Sequence, residues 1–194
     1  MKNIPGARYL QFRCTGCGNC CKDPLLPLTD EDIQRIVDRT GDSPSVIAQI
    51  VDDRAIELDD EPEAFVTLRQ GKRVLVLRHE HGRCRYLGDD DRCTIYSSRP
   101  LGCRVFPLDP EFNAKKKLRR LTLIKATDCL YEMDGKVDVE TLYTLQQRYW
   151  KAHEVYYAKV AEWNREQNRR RRAGRAAQTA REFFSFLGLQ DANE

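Results

Sequence analysis

Apolar residues recur in three- and four-residue steps from Val139 through Leu142, Leu145, Tyr149, Ala152, Tyr156 and Val160 to Trp163. That spacing predicts an amphipathic helix running from Asp138 to about residue 172. Gly174 interrupts it. Ala176, Ala177, Ala180, Phe183, Phe184 and Leu187 then predict a last helix, which Gly188 ends. The two make a C-terminal helical hairpin. Its apolar face must pack on the preceding part of the chain, on its own partner helix, or on a second subunit.

Upstream the pattern is shorter and more broken. Tyr9, Leu10 and Phe12 suit an extended segment, while Pro24 and Pro27 forbid helix. Thr29 is a good N-cap, with Asp30, Glu31 and Asp32 favoured in the first turn by the helix dipole. Ile33, Ile36 and Val37 carry that helix to Gly41. Ser43 and Pro44 open a second helix through Val46, Ile47, Ile50 and Val51. Residues 52–63 are acidic and read as a solvated loop. Phe65, Val66 and Leu68, a turn at Gln70–Gly71, and Val74 to Leu77 predict a β-hairpin. Arg99–Pro100 opens one helical turn, and residues 118–126 alternate as a strand. The expectation is an α+β fold: a small domain of short helices and hairpins over residues 1–135, followed by a helical extension over 136–194.

Composition narrows the function. The chain has 194 residues, 41% hydrophobic and 32% charged, with a net charge of +3. That balance argues neither for nor against nucleic acid. No apolar window of about 18 residues exists, so no membrane span is expected. The N-terminal segment has no apolar run of signal-peptide length, so the expected compartment is the cytoplasm.

The eight cysteines carry the chemistry. In a reducing compartment they read as metal ligands rather than disulfides. Cys14, Cys17, Cys20 and Cys21 form C-x2-C-x2-C-C, with Gly16 and Gly18 between the thiols. Glycines that accept positive φ let such a loop wrap tightly and aim several sulfurs at one point. Cys84 and Cys93 flank a polar turn, Gly88 to Arg92; Cys103 and Cys129 follow. The first three ligands match a ferredoxin-type run, but Cys21 follows Cys20 directly where a more distant fourth ligand would be expected. Two models remain open. Two four-thiolate zinc sites would carry a formal charge of about −4 together. Alternatively, an iron–sulfur cluster takes four thiolates, and a further metal or redox pair uses the rest. The cofactor is thus an iron–sulfur cluster or iron, with zinc as the alternative. Arg13, Arg83, Arg85, Arg92, Arg99 and Arg104 stand near thiols and suit the negative charge. Cys14, Cys17 and Cys20 are assigned to one site with Cys103. In extended chain Cys21 would point away from Cys20, to join Cys84, Cys93 and Cys129 or else to remain free as a redox thiol.

CTGCGNCC at 14–21, CRYL at 84–87, CTIYSSRPLGCRVFP at 93–107 and Cys129 together resemble the YkgJ-type cysteine-cluster family of zinc- or iron-chelating CxxCxxCC domains. The resemblance spans roughly residues 10–130. It implies a small metal- or iron–sulfur-binding domain with all eight cysteines as ligands, and it implies no single activity. A related cluster occurs in the flagellin lysine methylase, which keeps enzymatic roles open. The tail lies outside the motif; a protein partner docking on its helices is the alternative function.

Other signals are weaker. His79 and His81 bracket a turn before Cys84 and read as exposed; His153 lies on a helix and is not an expected ligand. The basic runs Lys115 to Lys117 with Arg119 and Arg120, and Arg165 with Arg169 to Arg172 and Arg175, read as solvated surface. No nucleic-acid motif accompanies them, so no nucleic-acid partner is expected. Walker, GxGxxG, HExxH and CxxxCxxC patterns are absent.

Overall fold

The computed structural model describes residues 7–22, 25–56, 58, 61–125 and 128–189. Pro24, Glu57, Asp59, Asp60, Ala126 and the first six residues, which entered the expectations above, lie outside the described residues.

Helix α1 (Asp30–Thr40) starts and stops where the pattern puts it. The Thr29 hydroxyl accepts the Asp32 N–H at 3.2 Å, and the Asp32 carboxylate accepts the Thr29 N–H at 3.2 Å. This reciprocal capping box satisfies donors that the helix leaves unpaired. Gly41 ends the helix at φ 73°, the left-handed conformation that costs glycine nothing.

Helix α2 (Pro44–Ile47) is a single turn, shorter than expected. Ile50 and Val51 lie instead in strand β3 (Ala48–Asp52). They pair with Leu75 and Val74 of the hairpin formed by β4 (Val66–Leu68) and β5 (Gly71–Leu77). β-branched side chains fit a pleated, half-buried surface, and the open edge of β5 supplies the partner. The sheet order is β3-β5-β4. Val74 to Leu77 of the central strand are all buried, as an unbroken apolar run requires.

A short hairpin follows, β6 (His79–Glu80) with β7 (Arg83–Cys84). Helix α3 (Leu101–Val105) is the predicted turn after Pro100. Strand β9 (Leu118–Leu123) pairs with β8 (Leu108–Phe112), a strand that the sequence pattern did not suggest because Pro110 interrupts it. Proline is tolerated there because both strands of a two-stranded ribbon are edges.

Two short ladders then tie the chain's beginning to what precedes the long helix. Strand β2 (Arg13–Cys14) pairs with β10 (Tyr131–Glu132), and β1 (Tyr9–Leu10) pairs with β11 (Val137–Asp138). Helix α4 (Val139–Arg172) begins with Asp138 accepting the Thr141 N–H at 2.8 Å. Helix α5 (Ala180–Phe186) is shorter than the apolar pattern suggests, because a second capping box, Thr179 with Glu182, fixes its start. Ala176 and Ala177 precede it.

The stripe on α4 is used internally. Tyr156, Val160 and Trp163, with Phe183 of α5, share one core with Ile33 and Ile36 of α1 and with Leu75 and Leu77 of β5. The Trp163 indole N–H donates to the Thr67 carbonyl at 2.9 Å. Leu145 and Tyr149 are half-buried. A smaller cluster packs the start of α4 on the β8–β9 ribbon through Leu142, Val139, Leu118 and Leu121, with Leu10 and Phe12. The fold is α+β, and Cys84 sits at the edge of the larger core with Cys21 and Cys93 packed against it. Among the described residues, no helix is long and apolar enough to cross a membrane.

Candidate metal centre

The C-x2-C-x2-C-C loop wraps as its glycines allow. Gly16 and Gly18 adopt φ 70° and 73°, and Asn19–Cys21 form one 3-10 turn. Polar residues between the thiols anchor the loop to the segment around Cys129. Asn19 Nδ2 donates to the Asp128 carbonyl at 2.7 Å, and the Thr15 hydroxyl donates to the Leu130 carbonyl at 3.0 Å. The β2–β10 ladder sets Cys14 directly opposite Tyr131.

The other thiols arrive from one stretch. Cys84 ends β7, a β-bridge joins Leu87 to Cys93, and the Thr94 N–H donates to the Tyr86 carbonyl at 2.9 Å. Cys103 rides on α3. That helix is tied to α1 because the Leu101 N–H donates to the buried Asp32 carboxylate at 2.8 Å.

All eight cysteines line a single cavity of about 300 Å3. Leu77, Tyr86, Ile95, Tyr96 and Pro100 supply much of its remaining wall, with Arg92 and Arg99 as cations. None of the eight is in a disulfide. Among the described residues, no three Cys, His, Asp or Glu side chains already converge on one point as a metal site.

Neighbouring amides point at the sulfurs in a repeated way. Cys14 accepts the Gly16 N–H at 3.4 Å. Cys17 accepts that of Asn19, Cys84 that of Tyr86, and Cys93 that of Ile95. Each is a turn whose amide, two residues on, faces back to the thiol. Such donors favour thiolate over thiol.

The thiols also adjoin one another: Cys20 stands by Cys21, Cys21 by Cys84, and Cys129 by Cys17, while the Cys129 S–H donates to the Leu130 carbonyl at 4.0 Å. Burial opposes ionisation of Cys17, but the Asn19 and Leu130 amides with the Cys129 and Thr15 side chains hold its pKa below the ordinary value. Cys84 is likewise lowered, by Cys21 first, against burial. For Cys21 the Cys20 thiol lowers the pKa, yet the adjoining Cys84 thiol, burial, and repulsion from Cys84 and Cys93 push it up to about 12. Burial and then repulsion from Cys17, Cys14 and Cys20 push Cys129 up to about 12. Cys20 is raised by the adjoining Cys21 thiol, then by burial; burial also raises Cys93 and Cys103. Thiols crowded this way disfavour one another's charge, and a cation among them removes that penalty.

The residues fit such a group. The donor set is all sulfur, which selects zinc, copper(I) or iron–sulfur centres. Arg99 lies beside Cys20, Cys93 and Cys103 and partly offsets the rise in the pKa of each. Its Nε is buried without a hydrogen-bond partner among the described residues. A charged donor left unpaired at a thiol-lined cavity is what an added sulfur-bearing anion would satisfy.

Several expectations change. Cys20 and Cys21 do not point apart: in a 3-10 turn, adjacent side chains stand roughly 120° apart rather than alternating, and these two thiols adjoin. Cys129, not Cys103, neighbours Cys17 and Cys14, because the β2–β10 ladder brings residues 128–132 to the loop. Cys103 neighbours Cys21, Cys20 and Cys93. Of the six arginines, only Arg92 and Arg99 line the cavity. Arg13, Arg83 and Arg85 instead pair with Asp134, Asp89 and Glu80. Arg104 donates to the Arg99 and Ser97 carbonyls. His79 and His81 are not among the lining residues, and buried His153 has its Nδ1 2.9 Å from the Tyr149 carbonyl. A larger hollow of about 500 Å3 lies between Lys115 to Lys117 and the start of α4, and no cysteine lines it. The role of Thr15 and Asn19 as anchors was missed; two polar side chains between loop thiols were the available signal.

Residues 13–120 match the family model described as "CxxCxxCC: Putative zinc- or iron-chelating domain". No curated protein and no solved structure matches the chain. The match covers more than half of the sequence and contains seven of the eight cavity cysteines, Cys129 alone lying beyond it. The chain therefore belongs to the CxxCxxCC family of zinc- or iron-chelating domains.

Proposed function

We propose that the cysteine cavity holds an iron–sulfur cluster and that the protein works as a redox protein. The observation that carries this reading is the single cavity of about 300 Å3 with every cysteine on its wall. A structural zinc site is closed, with four ligands about 2.3 Å from one ion, and leaves little interior. A thiol-lined space with apolar filler and an unpaired arginine Nε suits a polynuclear group with sulfurs of its own. Arg99 and the inward amides would tune its potential, since hydrogen bonds to sulfur and local charge set potential in such centres. Reduced thiols at all eight positions are what a cytoplasmic location would maintain.

The test is anaerobic purification, followed by iron, sulfide and zinc analysis and an absorption spectrum. Iron with acid-labile sulfide and a band near roughly 400 nm supports the proposal. A colourless protein holding zinc alone refutes it and favours the zinc-stabilised interaction module. In that case a partner on the helices would use side chains still outside, such as Trp150, because Tyr156, Val160 and Trp163 are enclosed by the chain's own core.

A further inference from the structure

The eight thiols are held by two separate pieces of scaffold. Cys14 and Cys17 belong to the loop, and Cys129 to the segment beyond residue 120. The β2–β10 ladder, the Asn19–Asp128 and Thr15–Leu130 bonds, the Arg13–Asp134 ion pair and the Phe12–Tyr131 stack bring them together. Cys84, Cys93 and Cys103 come from the stretch between β7 and α3, seated on the large core and tied to α1 through Asp32. The 3-10 turn of Asn19–Cys21 is the seam: Cys21 packs against the core that holds Cys84, and Cys20, which also adjoins Cys93 and Cys103, neighbours Cys17 and Cys129 on the other side.

The internal structure of the two groups is parallel. Each contains two turns that direct an amide back at a sulfur, at Cys14 and Cys17 in one and at Cys84 and Cys93 in the other. Each has one adjoining arginine. Arg92 lies against Gly16 of the loop, its guanidinium 2.7 Å from where a Cβ would stand, and Arg99 adjoins Cys93 and Cys103 and, across the seam, Cys20. Four thiolates are the usual complement of one thiophilic ion or one cluster, and the seam divides eight into two fours.

We infer that the cavity is two metal sites: an inner one of Cys21, Cys84, Cys93 and Cys103, and an outer one of Cys14, Cys17, Cys20 and Cys129 that takes a second thiophilic divalent cation. The inference rests on the reading of these cysteines as ligands, and not on which metal fills the inner site. The outer site depends on a thiol outside the span that defines the family. It is also the more open: Cys14 and Cys20 are exposed, whereas Cys84 is buried. Its ion is therefore the first to leave under a chelator and the one available for exchange.

Cobalt(II) added to metal-stripped, reduced full-length protein under nitrogen tests the partition, read by thiolate-to-cobalt absorption and by bound metal after desalting. The wild type should retain two ions per chain. Cys17→Ser and Cys129→Ser should each retain one, and the double variant C17S/C129S should still retain one. Cys93→Ser should also retain one, and C17S/C93S none. Circular dichroism on each variant keeps the comparison among folded proteins. A wild type that saturates with one ion overturns the inference, as does a C17S/C129S protein that binds none. The cluster proposal fails separately: a zinc-only protein that takes up two cobalt ions leaves the partition standing, and an iron–sulfur protein whose stripped form takes up one removes the partition alone.

Discussion

Asp32 connects the fold to the metal centre, and removing its carboxylate should disturb both. The side chain is 1% exposed. One oxygen accepts the Thr29 N–H at 3.2 Å and the Thr29 hydroxyl at 3.0 Å; the other accepts the Leu101 N–H at 2.8 Å and pairs with Arg35. Asp32→Ala leaves two backbone N–H groups without an acceptor. Each unsatisfied buried donor costs about 1–3 kcal/mol, so the expected loss is about 2–6 kcal/mol, centred near 3–4. Little is added for Arg35, which can turn toward water and still reach Glu31. For a chain of this length each kcal/mol shifts Tm by about 2–4 °C, which gives roughly 6–16 °C for the central estimate. Asp32→Asn keeps one accepting oxygen and should lose about half as much. Because Leu101 opens the helix that carries Cys103, the alanine variant should also hold its inner metal less tightly. The assays are urea unfolding and metal content of the anaerobically purified variants. An Asp32→Ala protein within about 0.5 kcal/mol of wild type, with full metal, would refute this account of how α3 is positioned.

Trp163→Ala should destabilise by about 3–5 kcal/mol, the range for emptying a large aromatic site; a urea midpoint implying under about 1 kcal/mol would mean that the α4–α5 contact contributes little. Gly135→Ala would drive a Cβ into the Phe12 carbonyl, and it should cost about 1–3 kcal/mol by overpacking. It should also raise thiol labelling at Cys14 and Cys129, and unchanged labelling would count against the β2–β10 pairing as what holds these two thiols together. Metal removal should increase amide exchange in residues 14–22, 84–105 and 128–132 while α4 stays better protected, because α4 also packs on α1, β5 and α5, which carry no cysteine; uniform deprotection would refute that separation. The metal-free protein should lose stability as pH rises past 9. Cys21 and Cys129 are pushed up to about 12 from an ordinary 9.0, so above 9 the unfolded chain binds fewer protons and ΔG falls with pH. Metal binding should correspondingly release protons and tighten with pH. Calorimetry in buffers of different ionisation enthalpy reads both effects, and pH-independent binding would contradict the raised thiol values.

What the sequence disclosed, and what it hid, divides along physical lines. Helices α1 and α4 were legible because their signals are local: Thr29 and Gly41 mark the ends of one, and the run from Val139 to Trp163 repeats with helical period. The cysteines were legible as one chemical set because thiols clustered this tightly in a chain seldom do anything but ligate metal or form disulfides. The grouping of the thiols was not legible, because it depends on contacts far apart in the chain. Nothing near Cys129 in sequence indicates that Tyr131 pairs with Cys14, since a two-residue ladder is too short for an alternation signal. The same limit explains Ile50 and Val51: their apolar spacing fits a helix, and only the free edge of β5 makes them strand. Cys20 and Cys21 show it most sharply. Whether adjacent thiols face together or apart is decided by whether the backbone there is 3-10 or extended, and Gly18 at φ 73° begins the 3-10 turn. A position that only a small, left-handed-tolerant residue holds comfortably thus sets how the two adjacent thiols stand to each other, so the ligand geometry is written partly in residues that bind no metal.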